Sequence, residues 1–298
     1  MSPLDRAWES LEGLSVGDAF GQCFFSLPAE EESNILAGAS LPEAPWYYTD
    51  DTEMSLSVVA VLSGHGSIEQ DELADRFARN YSYDRAYGPA MHRALMRIRE
   101  GEPWREVSGS LFSGQGSFGN GAPMRAAPIG AYFADDHASL VIHAARSAEI
   151  THSHPEAIAG AIAVAAAAGI AVNYREAGVV PGHAEFLERV IGMVPDSEVK
   201  QRLTKAKAME QVASIRYPAS VLGDGTEMSA QDTVPFALWC CGQTLGDYEK
   251  AVRLGIEGGV DRDTMGAIIG GVVVCFTGKA DIPDEWLSRR EDIPMMMD

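Results

Sequence analysis

Apolar residues recur at three- to four-residue spacing along almost the whole chain, whereas strict two-residue alternation is scarce. A helix repeats about every 3.6 residues and a half-buried strand about every two, so the pattern predicts a mostly helical protein. The periodic stretches are Arg6 to Ala19, Thr52 to Leu62, Ile68 to Tyr81, Pro89 to Glu100, Asp136 to Thr151, Pro155 to Asn173, Ala184 to Met193, Ser197 to Ile215, Gln231 to Cys241, Asp247 to Gly255 and Thr264 to Phe276. Helix-start chemistry agrees: Ser67 precedes Ile68 with Gln70 three residues on, Asp247 precedes Tyr248, and Pro155 suits a first helical turn. The stretch from Pro155 is so rich in Ala and Gly that neighbours can approach it from every side, which places it at the centre.

The 298 residues carry no Ser/Gly/Pro linker and no tandem repeat, so one domain over 1–298 is expected. With 43 acidic against 23 basic side chains the formal charge is −20, which repels nucleic-acid backbones and anionic membrane surfaces and excludes nonspecific nucleic-acid binding. Cys23, Cys240, Cys241 and Cys275 lack CxxC spacing and read as reduced core thiols. The first residues show no basic and apolar leader, and the longest apolar run, Ala157 to Val172, reads as short for a membrane span. A cytoplasmic protein without a membrane partner is therefore expected.

Glycine concentrates beside polar residues at Gly13 to Gly21, Gly114 to Ala122 and Gly255 to Gly266, three segments expected to be loops approaching a ligand. Two acidic clusters open helices: Thr49-Asp50-Asp51-Thr52 runs into Met54 to Val59, and Asp261-Arg262-Asp263-Thr264 runs into Met265 to Phe276. One Asp or Thr at such a place merely caps. Two clusters, each with two carboxylates and a hydroxyl and no adjacent lysine run, exceed what capping uses. Face to face they would repel without a cation, and an all-oxygen set suits Mg²⁺ or Mn²⁺ better than zinc. Gly114 to Ala122 is neither a Walker loop nor a dinucleotide fingerprint, but four glycines with Ser117, Asn120 and the following Arg125 suit a phosphate nest. Of the histidines, His152 and His154 stand out at the junction of two helical stretches, and for His152 an ordinary hydrogen-bonded role and a functional one are equally open. His154 reads as an ordinary loop histidine, the other five as surface or helix residues, and Met295 to Met297 as packing or tail.

Five segments in this order resemble the ADP-ribosylglycohydrolase family over nearly the whole chain: Gly17-Asp18-Ala19-Phe20-Gly21, Thr49 to Thr52, Gly116 to Arg125, Thr151-His152-Ser153-His154-Pro155 and Asp261 to Thr264. The resemblance implies an all-α, compact orthogonal helical bundle with two divalent cations, Mg²⁺ or Mn²⁺, cleaving the bond between ADP-ribose and an acceptor. It implies Thr49, Asp50, Asp51, Asp261, Asp263 and Thr264 as metal ligands. Asp50, Gly116, Ser117, Phe118, Gly119, Asn120, Gly121, Ala122 and His152 are implied as substrate contacts, and Asp50 or Asp51 as the group that activates water. Two positions depart from the family pattern: Phe25 stands where a glutamate base or gate is usual, and Val260 separates Gly258-Gly259 from Asp261, with Arg262 between the two ligands. Glu30, Glu31 and Glu32 lie within reach as substitutes.

ADP-ribose joined to protein arginine is the first substrate expected, because an acidic surface attracts a guanidinium-bearing protein; serine, nucleic-acid and small-molecule conjugates are the others. The alternatives are a degenerate ADP-ribose-binding module, which Phe25 favours, and a two-metal nucleotide phosphohydrolase. The connection Gln22 to Pro45 is long enough to suggest a lid.

Overall fold

The computed structural model describes residues 1–210 and 212–294, so Met295 to Met297 lie outside the described residues. Within them the chain forms sixteen α-helices, and apart from two isolated bridges no β pairing is present. In chain order they are α1 (Pro3–Cys23), α2 (Ala29–Leu36), α3 (Asp50–His65), α4 (Gln70–Asn80), α5 (Pro89–Arg99), α6 (Trp104–Gly114), α7 (Ala127–Tyr132) and α8 (His137–Glu149). The rest are α9 (Pro155–Ala177), α10 (His183–Ile191), α11 (Glu198–Lys207), α12 (Arg216–Leu222), α13 (Ala230–Thr244), α14 (Tyr248–Gly258), α15 (Arg262–Thr277) and α16 (Asp284–Arg289).

Every periodic stretch contains a helix, with instructive differences at the ends. α4 starts two residues late because the Ser67 hydroxyl donates to the Glu69 carboxylate and caps nothing. The stretch Ser197 to Ile215 is not one helix: the Met209 carbonyl is taken by the Trp239 indole at 2.8 Å and the Gln243 amide at 3.1 Å, both from α13. Asp247 does cap α14, accepting from the Lys250 amide, and His154 caps α9 through the Glu156 amide. Helix α2 occupies the middle of the Gln22 to Pro45 connection, with Ile35 fully buried and its carbonyl held by Arg253, so this is not a structureless segment.

The Ala-rich α9 lies at the centre, as its composition predicted, buried from Ala157 to Val172 apart from Ile158. At 23 residues it is long and apolar enough to span a membrane, contrary to the sequence reading, but it is sheathed by other helices of the bundle. The main apolar core gathers side chains from both chain ends, from Leu11 to Trp286, around it. A second cluster, built from Met54, Leu73, Phe77, Leu95 and Val107, knits α3 to α6. Cys240, Cys241 and Cys275 are free and buried in the main core, and Cys23 is free and partly buried.

The tightest contact is between α1 and α15. Gly13, Gly17 and Gly21 recur every fourth residue along one face of α1. A Cβ at Gly17 would collide with the Gly266 carbonyl, one at Gly266 with the Gly17 carbonyl, one at Gly270 with Gly13, and one at Gly21 with the Arg262 carbonyl. The two backbones therefore touch directly over two turns. This corrects two of the three expected glycine loops: Gly13 to Gly21 lies inside α1, and Gly255 to Gly266 is divided between α14 and α15. The glycines inside those helices serve helix packing, and of the three segments the parts that approach the cleft outside helices are Gly114 to Ala122 and residues 259–261 between α14 and α15. The expected test is asymmetric. Gly17→Ala should destabilise the protein by about 3 kcal/mol or more in urea melts, through forced separation of α1 and α15. Gly64→Ala, in the open near the end of α3, should be neutral or stabilising by up to about 1 kcal/mol.

Candidate active site

The α1–α15 contact fixes where three helix ends meet. Gly21 seats the end of α1 on the first turn of α15, and one turn earlier the fully buried Asp18 points the other way, toward α3. Its carboxylate accepts from the Thr49 amide at 3.0 Å and hydroxyl at 2.9 Å, and from the Thr52 amide at 3.1 Å and hydroxyl at 2.6 Å. Four donors on one carboxylate dock the N-terminus of α3 against α1. The starts of α3 and α15 are thereby side by side, and the two acidic clusters face one cleft.

That cleft, of ≈ 440 Å³, is lined by Asp50, Asp51, Asp261, Asp263 and Thr264 on the acidic side. Ser117, Gly119, Asn120, Gly121 and His152 form the opposite side, and Gln22, Phe25, Met228 and Val260 also line it. Capping does not explain the acids. Thr49 caps α3 by accepting from the Asp51 amide, whereas Asp261, at the cap position of α15, makes no cap bond and instead accepts from the Asn120 amide group at 2.6 Å.

Burial, first of all, pushes every one of these carboxyls up. Asp18 is raised to about 6 by burial against the pull of its four donors. Asp50 and Asp51 lie well above the usual carboxylate range, from burial and then from the charge of Asp18. Asp263 is raised well above it by burial and by Asp261, and Asp261 is raised by burial. Burial first, and for Asp50, Asp51 and Asp263 the charge of neighbouring carboxylates second, disfavours the ionised forms of these acids.

Two observations bear on a divalent ion. Oδ1 of Asp51 is buried without any hydrogen-bond partner, and the donor set of carboxylates plus the Thr264 hydroxyl is the all-oxygen chemistry of a hard cation. Among the described residues no three acidic, histidine or cysteine side chains stand grouped as a metal site, so the fit rests on the chemistry of the donors alone. The residues present fit a divalent ion by their chemistry.

The glycine loop is built around His152. A Cβ at Gly121 would sit 2.7 Å from the imidazole Cε1, and one at Gly119 3.2 Å from Nε2, so the Cε1–Nε2 side of the ring abuts the loop. Gly116, at φ +77°, turns the chain past Ser153 and His154. The Gly119 amide donates to the Ser117 hydroxyl and the Asn120 amide to the Met228 carbonyl, so these two are not free for an anion. Non-glycine residues with left-handed backbones among the described residues are Ala86, Phe112, Ser113 and Met228; two of them line the cleft and two lead into the glycine loop. Such strain is characteristic of functional sites.

The expected site residues divide accordingly. Asp50, Asp51, Asp261, Asp263, Thr264, Ser117, Gly119, Asn120, Gly121 and His152 are brought together on the cleft. Thr49 stands behind the wall, its hydroxyl donating to Asp18 and Asp51. Gly116 and Ala122 shape the loop from outside the lining, and Phe118 lies on its outer flank, 5.5 Å from the His154 ring. Arg125 is not part of a phosphate nest. It is fully buried, donates to the Gly121 and Ser147 carbonyls and the Thr151 hydroxyl, and packs over Phe77. Glu32 is ion-paired to Arg262 at 2.5 Å, which occupies both. The docking role of Asp18 has no signal in local periodicity, since it depends on a contact across 31 residues.

An all-helical bundle with two acidic helix starts and a glycine loop around one cleft defines the class. The ADP-ribosylglycohydrolase family model matches residues 1–297, and the chain belongs to that family. It is 26% identical to human ADP-ribosylhydrolase ARH3 over 95% of this chain and 88% of the relative. It is 25% identical to ADP-ribosylarginine hydrolase Tri1 of Pseudomonas putida over 96% of this chain and 74% of the relative. A solved structure described as an ADP-ribosylglycohydrolase-related protein complex superposes with a TM-score of 0.67 at 25% identity, covering 97% of this chain and 93% of that one.

The imidazole of His152 is kept neutral by burial and then by the Arg125 guanidinium, its pKa pushed down to about 3. The unfolded chain takes up a proton near the ordinary value of about 6.5, so this group's contribution is intact above that pH and is lost as pH falls toward the native value. Between about pH 7 and about pH 4.5 the melting temperature of the wild type should therefore fall further than that of His152→Gln, measured by differential scanning calorimetry.

Proposed function

We propose that the chain cleaves the glycosidic bond between ADP-ribose and an acceptor by attack of a water held at the acidic side of the cleft, with one or two hard divalent ions, Mg²⁺ or Mn²⁺, bound there. That the chain is a hydrolase of ADP-ribose linkages follows from its family. The observation that carries the rest is the cleft itself: four aspartates with raised pKa values, with no lysine or arginine among the described residues that line it, facing a glycine loop. Asp50, Asp51, Asp261, Asp263 and the Thr264 hydroxyl are the residues to hold the ions, with Thr49 supporting Asp51 from behind. A bound divalent ion supplies positive charge that ionises these carboxyls, orients ribose oxygens and acidifies water.

The chain's own residues divide the work. Asp50, the more exposed acid of its pair, takes the proton of the attacking water as the bond to the anomeric carbon breaks through an oxocarbenium-like state, and that proton ends on the departing acceptor atom. Asn120 orients Asp261 while its other contact, the Thr233 hydroxyl at 3.0 Å, holds its amide in place. Neutral His152 contacts the sugar through hydrogen bonding without adding charge, and Ser117, Gly119 and Gly121 give the diphosphate side a surface free of bulky side chains. Arginine-linked ADP-ribose is the first acceptor bond to test, in keeping with the charge of −20 and a relative named ADP-ribosylarginine hydrolase.

A second reading has one observation in its favour: Phe25, at the place of the family's usual glutamate, lines the cleft and brings no carboxylate to it. In that reading the chain binds ADP-ribose without cutting. Release of ADP-ribose from an arginine-ADP-ribosylated protein, with Mg²⁺, with Mn²⁺ and with chelator, separates the two. Divalent-dependent release is expected, lowered at least about 100-fold in Asp261→Asn and Asp263→Asn with an unchanged helical circular dichroism spectrum. Tight ADP-ribose binding with no release from arginine- or serine-linked substrate would establish the binding module instead. Chelator should also lower the melting temperature near neutral pH, because removing a bound cation restores the repulsion among the carboxylates.

A further inference from the structure

The backbone that presents Asp50 and Asp51 is held from outside the cleft by the C-terminal segment. Trp286 of α16 stacks on Phe20 of α1 at 4.0 Å between ring centroids and meets Trp46 edge-on at 5.8 Å, which anchors the end of the chain beside the segment leading into α3. From there residues 289–291 run parallel to residues 46–48. The Trp46 amide donates to the Arg289 carbonyl at 2.7 Å, and the Glu291 amide to the Trp46 carbonyl at 2.9 Å. At the next position the backbone pairing is replaced by a side chain: the Tyr48 amide donates to Oε1 of Glu291 at 2.9 Å.

Arg85 closes the arrangement. Its Nη1 donates to the Tyr48 carbonyl at 2.8 Å, its guanidinium is ion-paired to Glu291 and lies 3.8 Å over the Tyr48 ring, and its own carbonyl accepts the Asp50 amide at 2.7 Å. Both polar groups of the Tyr48 backbone and the Asp50 amide thus end on two residues. Neither Arg85 nor Glu291 lines the cleft.

We propose that Glu291 and Arg85 are positioning residues that set the Tyr48–Asp50 backbone, and through it the geometry in which Asp50 and Asp51 take up a divalent ion. The inference rests on the divalent-ion reading given above. Residues outside a coordination sphere that orient the ligands commonly change metal affinity by about 10- to 100-fold when removed. Glu291→Ala removes the acceptor for Tyr48 and the partner of Arg85 together, whereas Glu291→Gln keeps a neutral acceptor and loses only the ion pair.

The test is Mn²⁺ titration of the substrate-free protein followed by electron paramagnetic resonance, paired with amide hydrogen exchange at Tyr48 and Asp50. Glu291→Ala should weaken Mn²⁺ binding about tenfold or more and speed exchange at both amides, with Glu291→Gln intermediate. Unchanged Mn²⁺ affinity in Glu291→Ala overturns the proposal, whatever happens to its melting temperature. Should the wild type itself bind no Mn²⁺, the divalent-ion reading falls and the metal part of this inference with it. The backbone part is then decided by exchange alone: faster exchange at Tyr48 and Asp50 supports it, and unchanged exchange overturns it.

Discussion

The backbone contact between α1 and α15 is what the rest of the molecule depends on. Glycines at every fourth position of α1 meet Gly266, Gly270 and the Arg262 carbonyl, so the helices touch without intervening side chains. That approach puts the end of α1 against the start of α15, and Asp18, near the end of α1, then draws in the start of α3 through the amides and hydroxyls of Thr49 and Thr52. Two helix N-termini that are far apart in sequence become neighbours. Their aspartates acquire a common environment only through this geometry.

The same geometry creates an electrostatic problem. Four carboxyls at the cleft and Asp18 behind them are buried near one another, and among the described residues no lysine or arginine lines the cleft. The neighbouring guanidiniums are committed elsewhere: Arg262 to Glu32, Arg85 to Glu291, and Arg125 to carbonyls on the far side of the glycine loop. A protein that needed only capped helices would carry one acid at each start and place a base nearby. The divalent ion proposed above would relieve the repulsion among these carboxyls while ordering the oxygens of a sugar phosphate.

Much of this was legible in the sequence, for stated physical reasons. Helical periodicity marked eleven of the helices, the small side chains of α9 marked it as central, and the two acidic starts with the glycine loop named most of the residues that line the cleft. What escaped detection depends on tertiary contact. Glycine beside polar residues in Gly13 to Gly21 suggests a loop at a ligand, although the helical spacing of Arg6 to Ala19 runs into the same segment; the space those glycines leave is filled by another helix. Helix α2 is short and polar, with Ile35 its one buried side chain, and left no apolar face to detect. Arg125 follows the glycine loop in sequence and looked like a phosphate ligand. In the fold its guanidinium braces the loop from behind, with Thr151 accepting one of its bonds and meeting Nδ1 of His152 at 2.7 Å.

The most direct test of this account is anomalous diffraction from crystals soaked in Mn²⁺. The account predicts Mn²⁺ peaks between the starts of α3 and α15, within coordination distance of Asp50 or Asp51 on one side and Asp261 or Asp263 on the other. Crystals with the cleft accessible and Mn²⁺ in excess, yet with no peak at that place, would contradict it.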